Sequence, residues 1–322
     1  MLKKASFQGR KKLNLHLINM SIMSGKVKSI KATRFSKKVN SIMDTELSIV
    51  ETPLSVKEYD DEGNLIHTAN WGDSGMISEK FVYEYENGVR AKQMTYADED
   101  ELAETEYYEY DDAGKLIKTV LEYLDGSQDI TTHKYNDNNQ KLSSITIDDE
   151  GDEGQQEFWD YDGQNLVRYR LIDDFGNTEE EHQMRYDDAD KLIEKTIINN
   201  LHESHFKWTY TYNTDGKLIL ESRFNAKGKL VEETTYAYDT EGNVIQDKTE
   251  NAKESLIKEM QYDSNGNETY TVEREDDDGV VLYEVWRYFD DNSRQASSKV
   301  IMYAQGESNN IEYEVNYTYE FY

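Results

Sequence analysis

The chain is rich in carboxylates, and two acidic runs hold the densest sets of side chains that could bind a cation. These runs span residues 148–154 and 275–279. Neither has the spacing of a helix-loop-helix calcium site, and Asp beside Gly is also what a tight turn requires. The sequence therefore favours solvated turns over metal sites. The weak candidate calcium ligands are Asp148, Glu150, Asp152, Asp276, Asp277 and Asp278.

The other residue types that could do chemistry form no recognisable site. His202 and His205 are three positions apart, whereas a zinc-binding helix spaces its histidines by four. Paired carboxylates can hydrolyse glycosidic bonds, but no pair stands out among 66 acidic residues. Cysteine, nucleophile motifs, phosphate-binding loops and dinucleotide fingerprints are all absent from the sequence. We therefore predict no catalytic residue and no cofactor, and the function of a glycan-acting enzyme ranks third.

Tyrosine followed by acidic residues recurs with a fixed period, which is typical of a repeat architecture. Two of the copies are Tyr110–Ile117, reading YDDAGKLI, and Tyr161–Leu166, reading YDGQNL. Successive copies begin 24 to 26 residues apart. The tyrosines that begin them are Tyr59, Tyr85, Tyr110, Tyr135, Tyr161, Tyr186, Tyr212, Tyr238, Tyr262 and Tyr288.

The residues after each tyrosine predict a turn. Asp at the first corner of a type I turn accepts hydrogen bonds from the backbone ahead of it, and Gly at the fourth corner tolerates positive φ. The glycines at that corner are Gly63, Gly114, Gly216, Gly242 and Gly266. A second turn lies about halfway along each period, so each unit is predicted to be a β-hairpin.

Side-chain alternation predicts that one face of this sheet is apolar. Aromatic residues such as Trp159, Tyr210 and Trp286 stand two positions before a repeat tyrosine, and His133 fills one such place. We expect this face to form the core, because an exposed apolar strip of that size would aggregate. Glu180 is expected in a turn or on the solvated face. The partner strands supply Leu65, Leu116, Leu142, Leu166, Leu192, Leu218 and Val244.

The motif Tyr-Asp-x-x-Gly-x-Leu, repeated in phase from residue 59 to about 292, resembles the RHS/YD-repeat family. The match weakens near the end, where Glu268 and Arg294 stand in the leucine place. The resemblance implies long β-sheets, which in the known family often curl into a hollow shell around a toxin, and an association with carbohydrate binding. This chain shows no recognisable toxin segment or autoproteolysis core, so the resemblance does not extend to the large-shell role.

Together these patterns predict an all-β protein. We expect an elongated, curved antiparallel β-meander built from about ten hairpin repeats of about 25 residues each. Residues 1–25 are predicted to be a basic N-terminal arm or a degenerate targeting segment, and residues 26–58 to be lead-in strands. The repeat array is expected over residues 59–322, degenerate after about residue 263.

The charge distribution guides the prediction of a partner. Residues 1–43 carry eleven basic residues and no acidic one, yet the whole chain has a net charge of −30. Such a field repels nucleic acid and favours a basic protein, which suggests a toxin-neutralising or toxin-associated role. The alternative is a cell-surface or periplasmic carbohydrate-binding module.

The sequence also bears on membranes and localisation. No apolar stretch is long enough for a membrane span, and segments such as residues 272–278 lack the apolar band of a lipid-facing strand. Without a clean signal peptide, we expect a cytoplasmic protein, with a secreted or cell-surface protein as the alternative.

Overall fold

The structure is a computed structural model that describes residues 26–39, 47–72, 74–97, 100–304 and 310–322. Within these residues the chain forms 22 β-strands. The predicted N-terminal arm, residues 1–25, lies outside the described residues. The described part of the chain contains no helix that could cross a membrane.

The strands follow one another closely along the chain. They are β1 (Val27–Val39), β2 (Leu47–Tyr59), β3 (Leu65–Trp71), β4 (Ile77–Glu86), β5 (Val89–Tyr96), β6 (Leu102–Tyr110), β7 (Leu116–Tyr123), β8 (Gln128–Tyr135), β9 (Lys141–Ile147), β10 (Glu153–Asp162), β11 (Asn165–Ile172), β12 (Thr178–Tyr186), β13 (Leu192–Asn199), β14 (Ser204–Tyr212), β15 (Leu218–Asn225), β16 (Leu230–Tyr238), β17 (Val244–Asn251), β18 (Ser255–Tyr262), β19 (Glu268–Glu275), β20 (Val281–Phe289), β21 (Gln295–Met302) and β22 (Ile311–Phe321).

The sheet closes on itself. Each strand pairs antiparallel with the next, and β1 also pairs with β22, with Val27 opposite Phe321 and Ile30 opposite Tyr319. The all-β antiparallel prediction is therefore correct, but the prediction of an elongated, open meander is wrong. Twist and curvature accumulate over the whole sheet until its two edges meet, and closure removes the unpaired edge groups of both.

The wall of the barrel is a single layer. In the described residues each strand contacts only its two neighbours in the sheet, and only thirteen hydrophobic side chains are buried. With adjacent strands about 4.8 Å apart, 22 strands give a circumference of at least about 105 Å. A barrel of this size encloses a lumen too wide for its own side chains to fill.

Alternation in burial identifies the inner face. In β22, Val315 is 1% exposed, whereas its neighbours Glu314 and Asn316 are exposed. Val285 and Val300 oppose each other and are 0% exposed. Side chains on the concave face of a barrel converge and shield one another, so the face that carries these valines is the inner one. Strand pairing continues this face around the barrel, and the repeat tyrosines from Tyr59 to Tyr262 lie on it.

The turn after most repeat tyrosines has the predicted geometry, whereas the Tyr85 and Tyr161 copies form shorter, two-residue turns. Asp111 Oδ1 accepts hydrogen bonds from the backbone amides of Ala113 and Lys115, both at 2.9 Å. Gly114 has φ 78° and donates its amide to the Asp111 carbonyl at 2.9 Å. In the Tyr135 copy Asn139 takes the glycine place with φ 63°. We call the end of the barrel with these turns the tyrosine end, and the opposite end the far end.

Three predicted repeat positions, Leu142, Trp286 and Tyr288, differ in the structure. Tyr135 opposes Lys141, so Leu142 is a bulge residue on the outer face and is 39% exposed. In the last repeat Phe289 opposes Gln295, and Asp290 rather than Phe289 begins the turn. The inward place predicted for Tyr288 therefore belongs to Phe289.

The extra residue lies in the turn at the far end between β19 and β20. There the Glu275 amide donates to the Val280 carbonyl, five positions away, whereas the equivalent bond from Asn225 reaches Lys229, four positions away. Adding one residue reverses the faces of the strand that follows. As a result Trp286 and Tyr288 point outward, contrary to their predicted place in the apolar ladder.

Candidate functional site on the inner wall

Six of the repeat tyrosines link their hairpin to the one before it. Their hydroxyl groups donate hydrogen bonds to a carbonyl at the start of the second strand of the preceding hairpin. The bonds are Tyr85 to Leu65 at 2.9 Å, Tyr135 to Leu116 at 2.8 Å, Tyr186 to Leu166 at 3.0 Å, Tyr212 to Leu192 at 2.8 Å, Tyr238 to Leu218 at 2.6 Å and Tyr262 to Val244 at 2.9 Å. These contacts give the tyrosines a structural role, as a tie between repeats.

Basic side chains from the turns cover several of these rings. Lys191 Nζ lies 5.3 Å from the ring centroid of Tyr212, and Lys217 Nζ lies 5.0 Å from that of Tyr238. A cation over an aromatic face is attracted by the negative charge of the ring face. Burial also raises the pKa of Tyr210 to about 12.

A row of three rings crosses adjacent strands on the inner face. Trp159 on β10 lies opposite Tyr169 on β11, which lies opposite His182 on β12. Their ring centroids are 5.5 and 5.2 Å apart, with interplanar angles of 50° and 56°. We call Trp159, Tyr169 and His182 the inner aromatic row. Because the lumen is open in front of it, this row can stack against a flat ligand group.

Two carboxylates and a lysine surround the inner aromatic row. Glu157 accepts a hydrogen bond from the Tyr169 hydroxyl at 2.9 Å. Glu180 contacts His182 Nε2 at 2.5 Å and accepts from Asn199 at 2.8 Å. Glu180 is therefore a bonded residue of the inner wall, and the prediction that it is solvated is wrong. Lys141 Nζ lies 4.7 Å from the Trp159 ring centroid.

Burial changes the charge of the basic groups near this row. It lowers the pKa of His182, although the contact with Glu180 acts in the opposite direction. Burial also lowers the pKa of Lys141 and of His133. His133 contacts Thr119 Oγ1 at 3.2 Å and Ser144 Oγ at 2.9 Å, so it packs in the ladder as a neutral ring. Near neutral pH His133 and His182 therefore add little positive charge to the wall.

The acidic runs that hold the weak candidate calcium ligands form turns at the far end. Asp148 Oδ1 accepts from the backbone amides of Glu150 at 3.0 Å and Asp152 at 2.9 Å. Asp276 pairs with Lys248 at 2.8 Å and accepts from Ser255 at 3.2 Å. The described residues contain no group of three or more His, Asp or Glu side chains placed to hold a metal ion.

Sequence reasoning did not identify the inner aromatic row. Trp159 was singled out by its repeat position, but Tyr169 and His182 lie mid-strand, outside the motif. Their proximity depends on how β10, β11 and β12 align. Alternation along each strand would place all three on one face, yet only the register brings the rings into contact.

No family model matches the chain, and no curated protein matches it. Among solved structures, it is similar to a porin-like protein from Bacteroides uniformis at 10% identity and a TM-score of 0.30, covering 91% of this chain and 98% of that one. It is similar to TcdB2-TccC3 at 12% identity and a TM-score of 0.28, covering 79% of this chain and 18% of that one.

A third similar structure is a Tc holotoxin pore from Photorhabdus luminescens, at 11% identity and a TM-score of 0.19, covering 87% of this chain and 20% of that one. TM-scores this low assign the chain to no family and to no function. Membership of the RHS/YD-repeat family, which the motif suggests, therefore has no family model behind it.

Proposed function

We propose that this large β-barrel is a non-catalytic binding protein that captures a basic protein. The observation that carries the proposal is a surplus of carboxylates at both ends of the barrel. At the tyrosine end Asp111 makes the turn, but the next residue, Asp112, is exposed and has no part in the turn bonds. At the far end Asp173 makes the turn, and Asp174 is likewise exposed.

Turn geometry does not account for these second acids. A type I turn favours Asp at its first corner and accepts most residues at its second. Carboxylates of this kind lie in several turns, at both ends of the barrel, and contribute to the net charge of −30. A field of one sign speeds the association of oppositely charged proteins and raises their affinity at low salt. The exposed second acids include Asp61, Asp112 and Asp188 at the tyrosine end, and Asp149 and Asp174 at the far end.

The charged residues of the outer face favour a partner that binds from aqueous solution. Charged pairs lie on that face, such as Arg168 with Glu181 at 2.8 Å in the middle of their strands and Lys118 with Glu109 at 2.8 Å nearer the tyrosine end. A lipid-facing strand needs a continuous apolar band, and charges in its middle are costly there. The proposal therefore includes no membrane span. It also includes no nucleic-acid partner, because the net charge of −30 repels phosphate.

The test is a binding titration of the full chain with a labelled oligolysine peptide and with a neutral peptide of equal length. Raising NaCl from about 50 to 500 mM shortens the screening length below about 5 Å, so the affinity for oligolysine should fall at least tenfold. A triple variant, Asp61→Asn, Asp112→Asn and Asp188→Asn, should bind more weakly, because it removes three negative charges. Asparagine keeps the side-chain shape, so the loss would be due to charge. Equal binding of both peptides, or an affinity unmoved by salt, would contradict the proposal.

We propose that the basic partner is a toxin, which this protein neutralises or with which it associates, as the RHS/YD-like motif suggests. A basic toxin encoded beside this protein would support it. The same titration with that toxin then replaces oligolysine as the probe.

The inner aromatic row favours carbohydrate binding as a second candidate function. Sugars stack their apolar faces on aromatic rings, and Glu157 and Glu180 offer hydrogen-bond acceptors beside Trp159, Tyr169 and His182. This function predicts affinity for a neutral polysaccharide that salt barely changes. Trp159→Ala should abolish that affinity while leaving the binding of oligolysine unchanged.

A further inference from the structure

The one-residue shift in the last repeat creates an aromatic surface on the outside of the barrel. Trp286 and Tyr288 are two positions apart on β20, and both point outward because Val285 and Phe289 take the inward places. Tyr270 on β19 lies directly opposite Trp286, with the ring centroids 5.4 Å apart. We call Tyr270, Trp286 and Tyr288 the outer aromatic patch.

The patch is more than the fold requires. Tyr288 is 53% exposed, and within the described residues its hydroxyl makes no hydrogen bond. The repeat tyrosines of the inner face instead tie neighbouring hairpins together through their hydroxyls, as Tyr262 does with Val244 at 2.9 Å. An exposed aromatic cluster beside polar residues is typical of an interaction site.

A surface groove of about 860 Å³ lies over this patch at the tyrosine end. Its wall includes Asp263, Asp290 and Asp291. The carboxylate of Asp263 is engaged by its own turn, and that of Asp290 pairs with Arg294 at 2.6 Å. Asp291 is exposed, and within the described residues its carboxylate has no partner. The groove thus offers an aromatic floor and one carboxylate that is free for a ligand.

The ring of Trp286 already lies near a cation. Lys299 Nζ is 5.8 Å from its ring centroid and also pairs with Glu312 at 3.0 Å. A guanidinium group stacks on aromatic faces and forms paired hydrogen bonds with a carboxylate. Rings and a free carboxylate in one groove therefore match an arginine side chain better than a neutral group, which would leave Asp291 without a partner.

We propose that the groove over the outer aromatic patch binds an arginine-containing segment of a basic protein, with the guanidinium on Trp286 and Tyr288 and against Asp291. This inference rests on the proposed function and names the docking site for the same partner. It also gives a reason for the register of the last repeat, which turns these rings toward the partner.

The test measures the affinity of a labelled oligoarginine peptide for the full chain and for single variants at fixed salt. Losing one cation–π contact should weaken binding about three- to tenfold in Tyr288→Ala, and Asp291→Asn should weaken it by a similar factor. The matched control is Tyr107→Ala. Tyr107 is an outward tyrosine, 37% exposed, with Lys92 Nζ 5.9 Å from its ring, but it does not line this groove.

The outcomes separate this inference from the proposed function. If the parent chain binds oligoarginine and Tyr288→Ala weakens binding no more than Tyr107→Ala, the inference is overturned and the proposed function stands. If the parent chain binds neither oligoarginine nor oligolysine, the proposed function fails and the inference fails with it. If a neutral oligosaccharide binds the parent chain but not Tyr288→Ala, while that substitution leaves oligoarginine binding unchanged, the groove belongs to sugars and the inference is overturned.

Discussion

The regular hairpins from β3 to β18 and the terminal strands β19 to β22 differ in which face carries the aromatic signature. In the regular region Tyr210 and Tyr212 face the lumen. In the terminal region the corresponding aromatic residues of the sequence pattern, Trp286 and Tyr288, face outward. The turn of residues 275–280, one residue longer than its counterpart at 225–229, separates the two regions.

The inner face of the terminal region carries charged residues at places where the regular repeats have leucine and aromatic residues. Glu268 takes the place that leucine holds in most earlier repeats, opposite Tyr262. Arg287 occupies the inward place before Phe289 and pairs with Glu268 at 2.6 Å. An ion pair thus replaces an aromatic–leucine contact. The motif therefore defines the turn at the tyrosine end, whereas the length of the turn at the far end decides which face the next aromatic residues occupy.

The largest expected difference between the two regions is in the cost of losing a tyrosine. Tyr212→Ala removes ring packing and the bond to the Leu192 carbonyl, and should lower the free energy of unfolding by about 3 kcal/mol. Tyr288→Ala, at a largely exposed side chain, should cost less than about 0.5 kcal/mol. Urea unfolding of both variants measures the difference. Equal losses would show that the two tyrosines occupy equivalent environments.

The ion pair of the terminal region gives the next largest effect. Arg287→Ala leaves Glu268 with only the Thr271 hydroxyl as a partner on the inner wall and should cost about 2 kcal/mol. The double variant Glu268→Leu with Arg287→Tyr restores the residue types of the regular repeats and should recover most of that loss. Unfolding of the single and double variants by urea tests this. A double variant no more stable than Arg287→Ala would contradict the equivalence of the two positions.

A smaller difference in stability between the two regions is expected at the fourth corner of the turn. Gly114 has φ 78°, whereas Ser293 holds the same place in the last repeat with φ 57°. Because a left-handed conformation strains a residue with a Cβ atom, Ser293→Gly should stabilise the protein by about 0.5 to 1 kcal/mol. Gly114→Ser should destabilise it by a similar amount. Opposite shifts in melting temperature are expected, and shifts of the same sign would argue against strain at this corner.

The smallest expected effect is a pH dependence confined to the regular region. Burial lowers the pKa of His133 and of His182, so the unfolded chain binds more protons just below its own histidine pKa of about 6.5. Stability is therefore greatest above pH about 6.5 and decreases as the pH falls through and below that value. His133→Gln should reduce this slope.

The control for the pH prediction is the location of the strands in which hydrogen exchange becomes faster. Strands β19 to β22 contain no histidine, so hydrogen exchange at pH about 5.5 should quicken near β8 and β12 but not there. Faster exchange in β19 to β22 at that pH would show that other groups cause the loss of stability.

Local features of the fold were predictable because short-range chemistry determines them. The Asp111 turn and the positive φ of Gly114 follow from two residue types a few positions apart. The shared face of Tyr212 and Leu218 follows from alternation. The outward position of Leu142 and the bonds of Glu180 were not predictable, since both depend on the residue that each strand meets across the ladder.

Residue types and spacing alone are enough to predict an antiparallel β protein of repeated hairpins with tyrosine on one face and an excess of carboxylates in its turns. The pairing of β1 with β22, the lumen that the tyrosines line and the outward position of Trp286 and Tyr288 are visible only in the folded barrel. The physical reason is one of range. Turns and alternation act over a few residues, whereas closure adds the twist and stagger of all 22 strands, and one extra turn residue reverses a face.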